Sequence, residues 1–113
     1  MEKNCIFCRL AKGEIPAEVV YSNDKVVAFR DINPQAPFHV LICSREHVSS
    51  LSEAEDSHRE LLGELQLAAK NLANELKLDS FRLILNNGAH AGQTVFHIHY
   101  HLLGGRRFNW PPG

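Results

Sequence analysis

Thr94-Val95-Phe96-His97-Ile98-His99-Tyr100-His101-Leu102-Leu103-Gly104-Gly105 is the stretch whose reading decides the rest of this 113-residue chain. Three of the chain's seven histidines stand at every second position, separated by large apolar or aromatic residues. Strict alternation predicts a half-buried β-strand, because residues i, i+2 and i+4 of a strand share one face. His97, His99 and His101 would then line one side, roughly 6–7 Å apart. Phe96, Ile98, Tyr100 and Leu102 would bury the other. A helix would scatter the three imidazoles around its circumference.

Imidazole is the side chain that titrates nearest neutrality, so a row of three is suited to nucleophilic attack, proton transfer, phosphate binding or metal ligation. Three histidines at this spacing fit either a three-histidine zinc site of the hydrolytic kind or metal-free nucleophilic catalysis, and periodicity does not separate the two. The preceding loop, which contains Asn86, Asn87, Gly88, Gly92, Gln93 and Thr94, favours an anion rich in oxygens. Glycine admits the backbone closely, and amide and hydroxyl groups donate hydrogen bonds.

Working outward, the length fits one domain, residues 1–113, with a modest core. A content of 44% hydrophobic and 22% charged residues is that of an ordinary globular protein. A net charge of −1 offers no electrostatic case for nucleic-acid binding. No apolar run approaches the ~18 residues of a membrane span. The first four residues lead into no secretory leader, and three cysteines do not make a secreted disulfide framework, so a cytoplasmic location is expected.

Cys5-Ile6-Phe7-Cys8 precedes a short helix over residues 9–12, capped by Gly13. The Cys-x-x-Cys is open to three readings: a redox pair, two inert buried thiols, or half of a tetrahedral zinc site. Residues 18–22 and 26–30 form a hairpin around the Asn23-Asp24 turn. A loop with Pro34 and Pro37 leads to a central strand, residues 38–43, which carries His39; Cys43 is expected in the core. Ser52-x-x-Glu55 has the form of a capping box for an amphipathic helix of about six turns whose stripe is Leu61, Leu65, Ala68, Ala69, Leu72 and Leu76. Gly63 within it suggests close packing, and His58 an exposed residue. A fourth strand spans residues 81–86. The expected fold class is α+β, a five-stranded antiparallel meander with one long and one short helix.

His97-Ile98-His99-Tyr100-His101-Leu102-Leu103 resembles the signature of the histidine triad (HIT) nucleotide-binding proteins. Gly104-Gly105-Arg106 and the ending Trp110-Pro111-Pro112-Gly113 resemble its Hint branch, and the likeness runs from Cys5 to Gly113. The resemblance implies a HIT fold, dimeric with a sheet continuous across the interface. It implies a purine nucleoside phosphoramidate hydrolase that releases AMP or GMP through a nucleotidyl-histidine, with no cofactor needed for the chemistry. The alternatives are a dinucleoside polyphosphate hydrolase, against which the tail argues, and a non-catalytic purine-nucleotide-binding scaffold.

By the same resemblance His99 is the nucleophile, its other ring nitrogen held by a backbone carbonyl near the first triad histidine. His101 and His39 stabilise phosphate oxygens and relay protons, and Thr94 or Gln93 lies near the leaving group. Ile6, Phe7, Leu10, Phe29 and Ile32 form the base pocket, and Asp31 accepts the ribose hydroxyls. Asn86, Gly92, Gln93 and Thr94 contact phosphate, and Trp110 reaches toward the partner subunit's site. Structural zinc is implied at Cys5, Cys8, His47 and His97, which assigns His97 to the metal rather than to substrate.

Overall fold

The computed structural model describes residues 4–113. Residues 1–3, on which the lack of a secretory leader is partly read, lie outside them. In chain order the elements are α1 (Ile6–Ala11), β1 (Val19–Ser22), β2 (Val26–Arg30), β3 (Phe38–Ser44), α2 (Arg59–Glu75), β4 (Phe81–Ile84) and β5 (His99–Gly104). The five strands form one antiparallel sheet in the order β1-β2-β3-β5-β4. It departs from a sequential meander in one place. α2 carries the chain to the far edge, where β4 forms, and β5 returns into the gap between β3 and β4.

That insertion makes the histidine strand central. Register pairs Cys43 with His99, Leu41 with His101 and His39 with Leu103. Cross-strand partners project to the same face, so His39, His99 and His101 share a face with Leu41 and Cys43. On that face Phe7 of α1 packs with Val27, Phe29, Leu41 and Cys43. Burial, ahead of repulsion from Cys5, pushes the Cys43 thiol up to about 12, as suits a core cysteine. The opposite face, with Val26, Ala28, Val40, Ile42, Tyr100 and Leu102, packs against Leu61, Leu65, Ala68, Ala69 and Leu72 of α2. Leu65 and Leu72 are fully buried, so truncating either to Ala would cost roughly 2–5 kcal/mol.

Local chemistry accounts for the ends of the elements. Asn23 Oδ1 accepts the backbone N–H groups of Lys25 and Val26, each at 2.9 Å, which closes the β1–β2 hairpin. α1 starts at Ile6, not Arg9, because Cys5 caps it: the Cys8 N–H donates to Cys5 Sγ at 3.4 Å. Gly13, at φ +78°, ends it in the left-handed conformation that glycine adopts without strain.

α2 has 17 residues, under five turns. The Ser52-x-x-Glu55 box does not form. Residues Leu51–Glu53 and Asp56–His58 make two separate 3-10 turns, and the Glu55 N–H donates to His58 Nδ1 at 2.9 Å. His58 is therefore not a simple exposed residue; its Nε2 also lies 2.9 Å from Glu46 Oε2. Gly63 marks no close packing, since a Cβ there would meet nothing within 4 Å. Phe96, expected on the buried side, is 49% exposed because it precedes the strand.

Candidate active site

Only His99 and His101 of the triad lie within β5; His97 sits in the bend before it. The bend splits the row of imidazoles into two groups with separate surroundings.

The first group is a cluster of thiols and rings. Cys5 Sγ is 3.3 Å from His97 Nδ1, Cys8 Sγ is 3.5 Å from the same atom, and Cys8 Sγ is 3.3 Å from His47 Nδ1. The four donor atoms lie within 4.8 Å of one another. A tetrahedral zinc with bonds of about 2.3 Å to sulfur and 2.05 Å to nitrogen has sulfur–nitrogen edges of about 3.5 Å, so this donor set fits that ion. His97 is fully buried, and its Nε2–H donates to the Ser44 carbonyl at 2.6 Å. That bond leaves the Nδ1 lone pair for the cluster, as an outer partner orients a ligating imidazole. Burial pushes the His97 ring down to about 4, against the raising effect of the Ser44 bond.

The second group is a chain of hydrogen bonds whose directions can be worked out from its ends. The Gln35 N–H donates to His39 Nδ1 at 3.0 Å. In a neutral His39 the ring hydrogen is then on Nε2, which is 2.9 Å from His101 Nδ1 and 3.4 Å from Asp31 Oδ2. If His101 Nδ1 accepts that hydrogen, its own ring hydrogen is on Nε2. Burial, followed by His99 and His39, pushes His101 down to about 4, so the ring is neutral at pH 7. Asp31, His39 and His101 also lie close enough to hold an ion. With Nδ1 of His39 already accepting and Nε2 carrying hydrogen, His39 has no lone pair to offer one.

His99 stands between the groups. Its Nδ1–H donates to the His97 carbonyl at 2.6 Å, which leaves the lone pair on Nε2. Among the described residues Nε2 has no hydrogen-bond partner, and no fully buried side-chain nitrogen or oxygen is without one, so Nε2 keeps some contact with the surface although the residue is only 7% exposed. The Phe7 ring stands edge-on to His99 at 4.9 Å and the His101 ring lies at 5.2 Å. Burial lowers the His99 pKa, opposed by the bond to His97. His97 thus serves the cluster with its ring and the nucleophile candidate with its carbonyl.

Two hollows flank this row. An apolar cleft of about 430 Å³ is lined by Ile6, Phe7, Leu10, Phe29, Asp31 and Ile32, the six residues expected to take a nucleoside, together with residues 15–18. Ile32 is fully exposed at its rim. On the other side a hollow of about 290 Å³ is lined by His39, His101, Asn86, Arg82 and Arg106. Phe108 lies within cation–π distance of Arg82 and Arg106, at 5.2 and 4.2 Å.

The loop before the triad departs from expectation. Gln93 is buried; its Nε2 donates to the carbonyls of Ser49 and Val95, and its Oε1 accepts the Gly88 N–H. Its side chain braces the loop and has no donor left for a phosphate. Gly92, at φ +100°, sits beside the Asn86 amide, where a Cβ would lie 3.7 Å from Nδ2. Thr94 lines a different hollow, with Cys5, His47 and Phe96. Trp110 is 82% exposed.

A family model described as HIT domain matches residues 12–108. This chain belongs to the HIT domain family. Among its HIT relatives, the 14 kDa zinc-binding protein of Zea mays is 50% identical over 111 residues, which cover 96% of this chain and 87% of that one. Adenylylsulfatase HINT1 of Arabidopsis thaliana is 47% identical, covering 96% of this chain and 76% of its own length. The HIT family hydrolase from Legionella pneumophila Philadelphia 1 superposes with a TM-score of 0.95 at 47% identity, covering 97% of this chain and all of the other.

Ser44 and Gln35 escape sequence reasoning. Each acts through a backbone group, a carbonyl toward His97 and an N–H toward His39. A main-chain group carries no residue-type signature, so only the fold reveals them.

Proposed function

We propose that this HIT protein is a purine nucleoside phosphoramidate hydrolase that releases AMP or GMP from 5′-phosphoramidates. The observation that carries the reading is the His99 ring: Nδ1–H held by the His97 carbonyl, Nε2 unpartnered, and Phe7 edge-on at 4.9 Å, itself part of the lining of an apolar cleft that also holds Asp31. The base would occupy the cleft and the ribose hydroxyls would donate to Asp31. The α-phosphate would lie against His99, with Asn86 and Gly92 as its loop contacts.

His99 Nε2 attacks the α-phosphorus and the bond from phosphorus to the amine nitrogen breaks. Binding the anionic phosphate favours a proton on the His39–His101 pair. That proton goes to the departing amine. Water then attacks the nucleotidyl-histidine, His99 leaves with its lone pair restored, and a proton from the water returns to the pair. The sum is phosphoramidate plus water giving nucleotide plus amine. No step needs a metal.

The Cys5, Cys8, His47 and His97 cluster suits a structural zinc, which has four protein ligands and no open position. When bound, the ion would tie the start of the chain to the bend that presents the His97 carbonyl. We read the protein as a cytoplasmic homodimer in which exposed Trp110 packs toward the partner's site; sedimentation equilibrium checks the dimer.

The name of the Arabidopsis relative favours a second reading, adenylyl sulfate as the substrate, in which sulfate leaves from the same phosphorus. Purified protein would be assayed with adenosine phosphoramidate, adenylyl sulfate and diadenosine polyphosphate, beside His99→Ala. Preferred turnover of the first, abolished in the variant, is the expected result. Preference for the sulfate or the polyphosphate replaces the substrate assignment. Binding of AMP with turnover of none makes the protein a nucleotide-binding scaffold.

A further inference from the structure

The two hollows beside the histidines differ in charge. In the apolar cleft Arg30 is paired with Glu18, Nε to Oε2 at 2.7 Å, and Asp31 adds a negative group. The hollow on the other side is lined by Arg82 and Arg106 and by no acidic side chain among the described residues. Neither guanidinium has a carboxylate partner there. Register sets Arg82 on the catalytic face. Leu103 pairs with His39 on one side and with Arg82 on the other, and Ile84 pairs with His101. A cross-strand row shares one face, so Arg82 stands about 10 Å across the sheet from His39, two strand spacings away. Arg82 Nη2 donates to the Asn109 carbonyl at 2.9 Å; Arg106 donates to the Gln35 and Arg107 carbonyls, each at 3.0 Å. These bonds and the Phe108 ring hold both guanidinium groups in place. Each group has more N–H donors than these bonds use, and the spare ones have no protein partner among the described residues. A planar fork with spare donors suits a carboxylate or another oxyanion.

We infer that Arg82 and Arg106 form a leaving-group subsite that selects substrates whose departing amine carries a carboxylate. The inference rests on the hydrolase reading, with the nucleoside in the apolar cleft. The departing nitrogen takes its proton from the His39–His101 pair, and that pair is a wall of the hollow. Whatever the nitrogen carries therefore enters beside the arginines. When the phosphorus–nitrogen bond breaks, the nitrogen keeps the electron pair and gains the proton; the carboxylate takes no part in the bond changes. Its contact with the arginines exists before and after the chemical step, so it acts on KM and leaves kcat nearly unchanged. A neutral amine gains nothing from the two charges, and a cationic one is repelled. A sulfate or a polyphosphate leaving the same phosphorus carries the same sign of charge, and the assay separates these from the carboxylate.

The test compares the adenosine 5′-phosphoramidates of alanine and of alaninamide, which set a carboxylate against a carboxamide of nearly equal size. The alanine conjugate is expected to show a KM about tenfold lower, in keeping with a charged hydrogen bond at a partly exposed site. The ratio should shrink as salt is added, since the charges are screened. It should fall toward one in Arg82→Gln and be partly kept in Arg82→Lys. Arg106→Gln serves if Arg82→Gln does not fold. Adenylyl sulfate and diadenosine tetraphosphate are assayed beside the two conjugates. Calorimetric binding of the same conjugates to His99→Ala protein gives a readout independent of turnover, again with about tenfold tighter binding of the alanine conjugate expected.

Equal KM for the two conjugates, or a ratio unmoved by salt and by the arginine variants, overturns the subsite while leaving the hydrolase reading intact. A lower KM for the sulfate or the tetraphosphate than for the alanine conjugate, lost in Arg82→Gln, overturns the carboxylate as its occupant. Tighter binding of the alanine conjugate without turnover of any substrate sustains the subsite and overturns the hydrolase. Equal binding without turnover overturns both.

Discussion

His101 is neutral in the folded chain because burial pushes its ring from the ordinary 6.5 down to about 4. Between those values the unfolded chain binds a proton that the folded chain does not, so stability rises with pH across the window. The contribution is complete above 6.5 and is lost as pH falls toward 4. His101→Gln is expected to show a shallower loss of urea stability than the wild type over this interval; equal slopes would count against the buried neutral ring. The residue types and their even spacing made His99 and His101 legible from the sequence. The same spacing misdirected the reading of Phe96 and grouped His97 with its neighbours, because alternation records where side chains point only while the strand continues. The bend at residues 95–97 ends that rule. Gln93 is a different failure: a polar side chain in a glycine-rich loop is equally suited to a ligand or to the loop's own carbonyls, and here the carbonyls take it.

Two substitutions probe the elements. Gly63 lies on the exposed side of α2 with open space where a side chain would be. Gly63→Ala is therefore expected to stabilise the protein by roughly 0.5–1 kcal/mol, the difference in helix propensity; a destabilised variant in thermal unfolding would reveal packing that the structure does not contain. Arg45 just beyond β3 donates to the Ala11 and Asn23 carbonyls, each at 2.7 Å, and to Ser22 Oγ at 2.6 Å. It clips the end of α1 and the β1–β2 turn to the central strand. Arg45→Met is expected to cost about 2 kcal/mol, since charged hydrogen bonds to two partly buried carbonyls are lost. Hydrogen exchange should quicken first at Arg9 and Lys12, whose N–H groups donate to the Cys5 and Cys8 carbonyls within α1; loss spread evenly over the sheet would contradict the clip. Strand and helix types were readable from hydrophobic period. The start of α2 was not, because Ser52-x-x-Glu55 fits a capping box as well as it fits the link that here folds as two 3-10 turns.

For the whole molecule, the cluster joins three distant parts of the chain: α1 through Cys5 and Cys8, the β3–α2 link through His47, and the approach to β5 through His97. An ion bound by the folded chain alone stabilises it by mass action, about 4.1 kcal/mol at a thousandfold excess over Kd. About one zinc per chain is expected by metal analysis, in keeping with a four-ligand structural site. Chelation, or Cys8→Ser, is expected to lower the unfolding temperature and raise exchange in α1 and around His97, with the α2–sheet face less affected. Metal-free wild type of unchanged stability would remove the ion from the account. The antiparallel sheet, its long helix and the histidine strand were legible in advance from local pattern. The position of β5 between β3 and β4 was not, because strand order is settled by which pairings bury most surface across the chain.

By itself the sequence determined the elements, the two apolar faces and the residues with chemistry to offer, since period and side-chain type are local properties. Tertiary structure alone decided which nitrogen of each ring is free. That choice belongs to the Ser44 carbonyl, the His97 carbonyl and the Gln35 N–H, main-chain groups identical in every residue that bears them and set in place only when the sheet closes around β5.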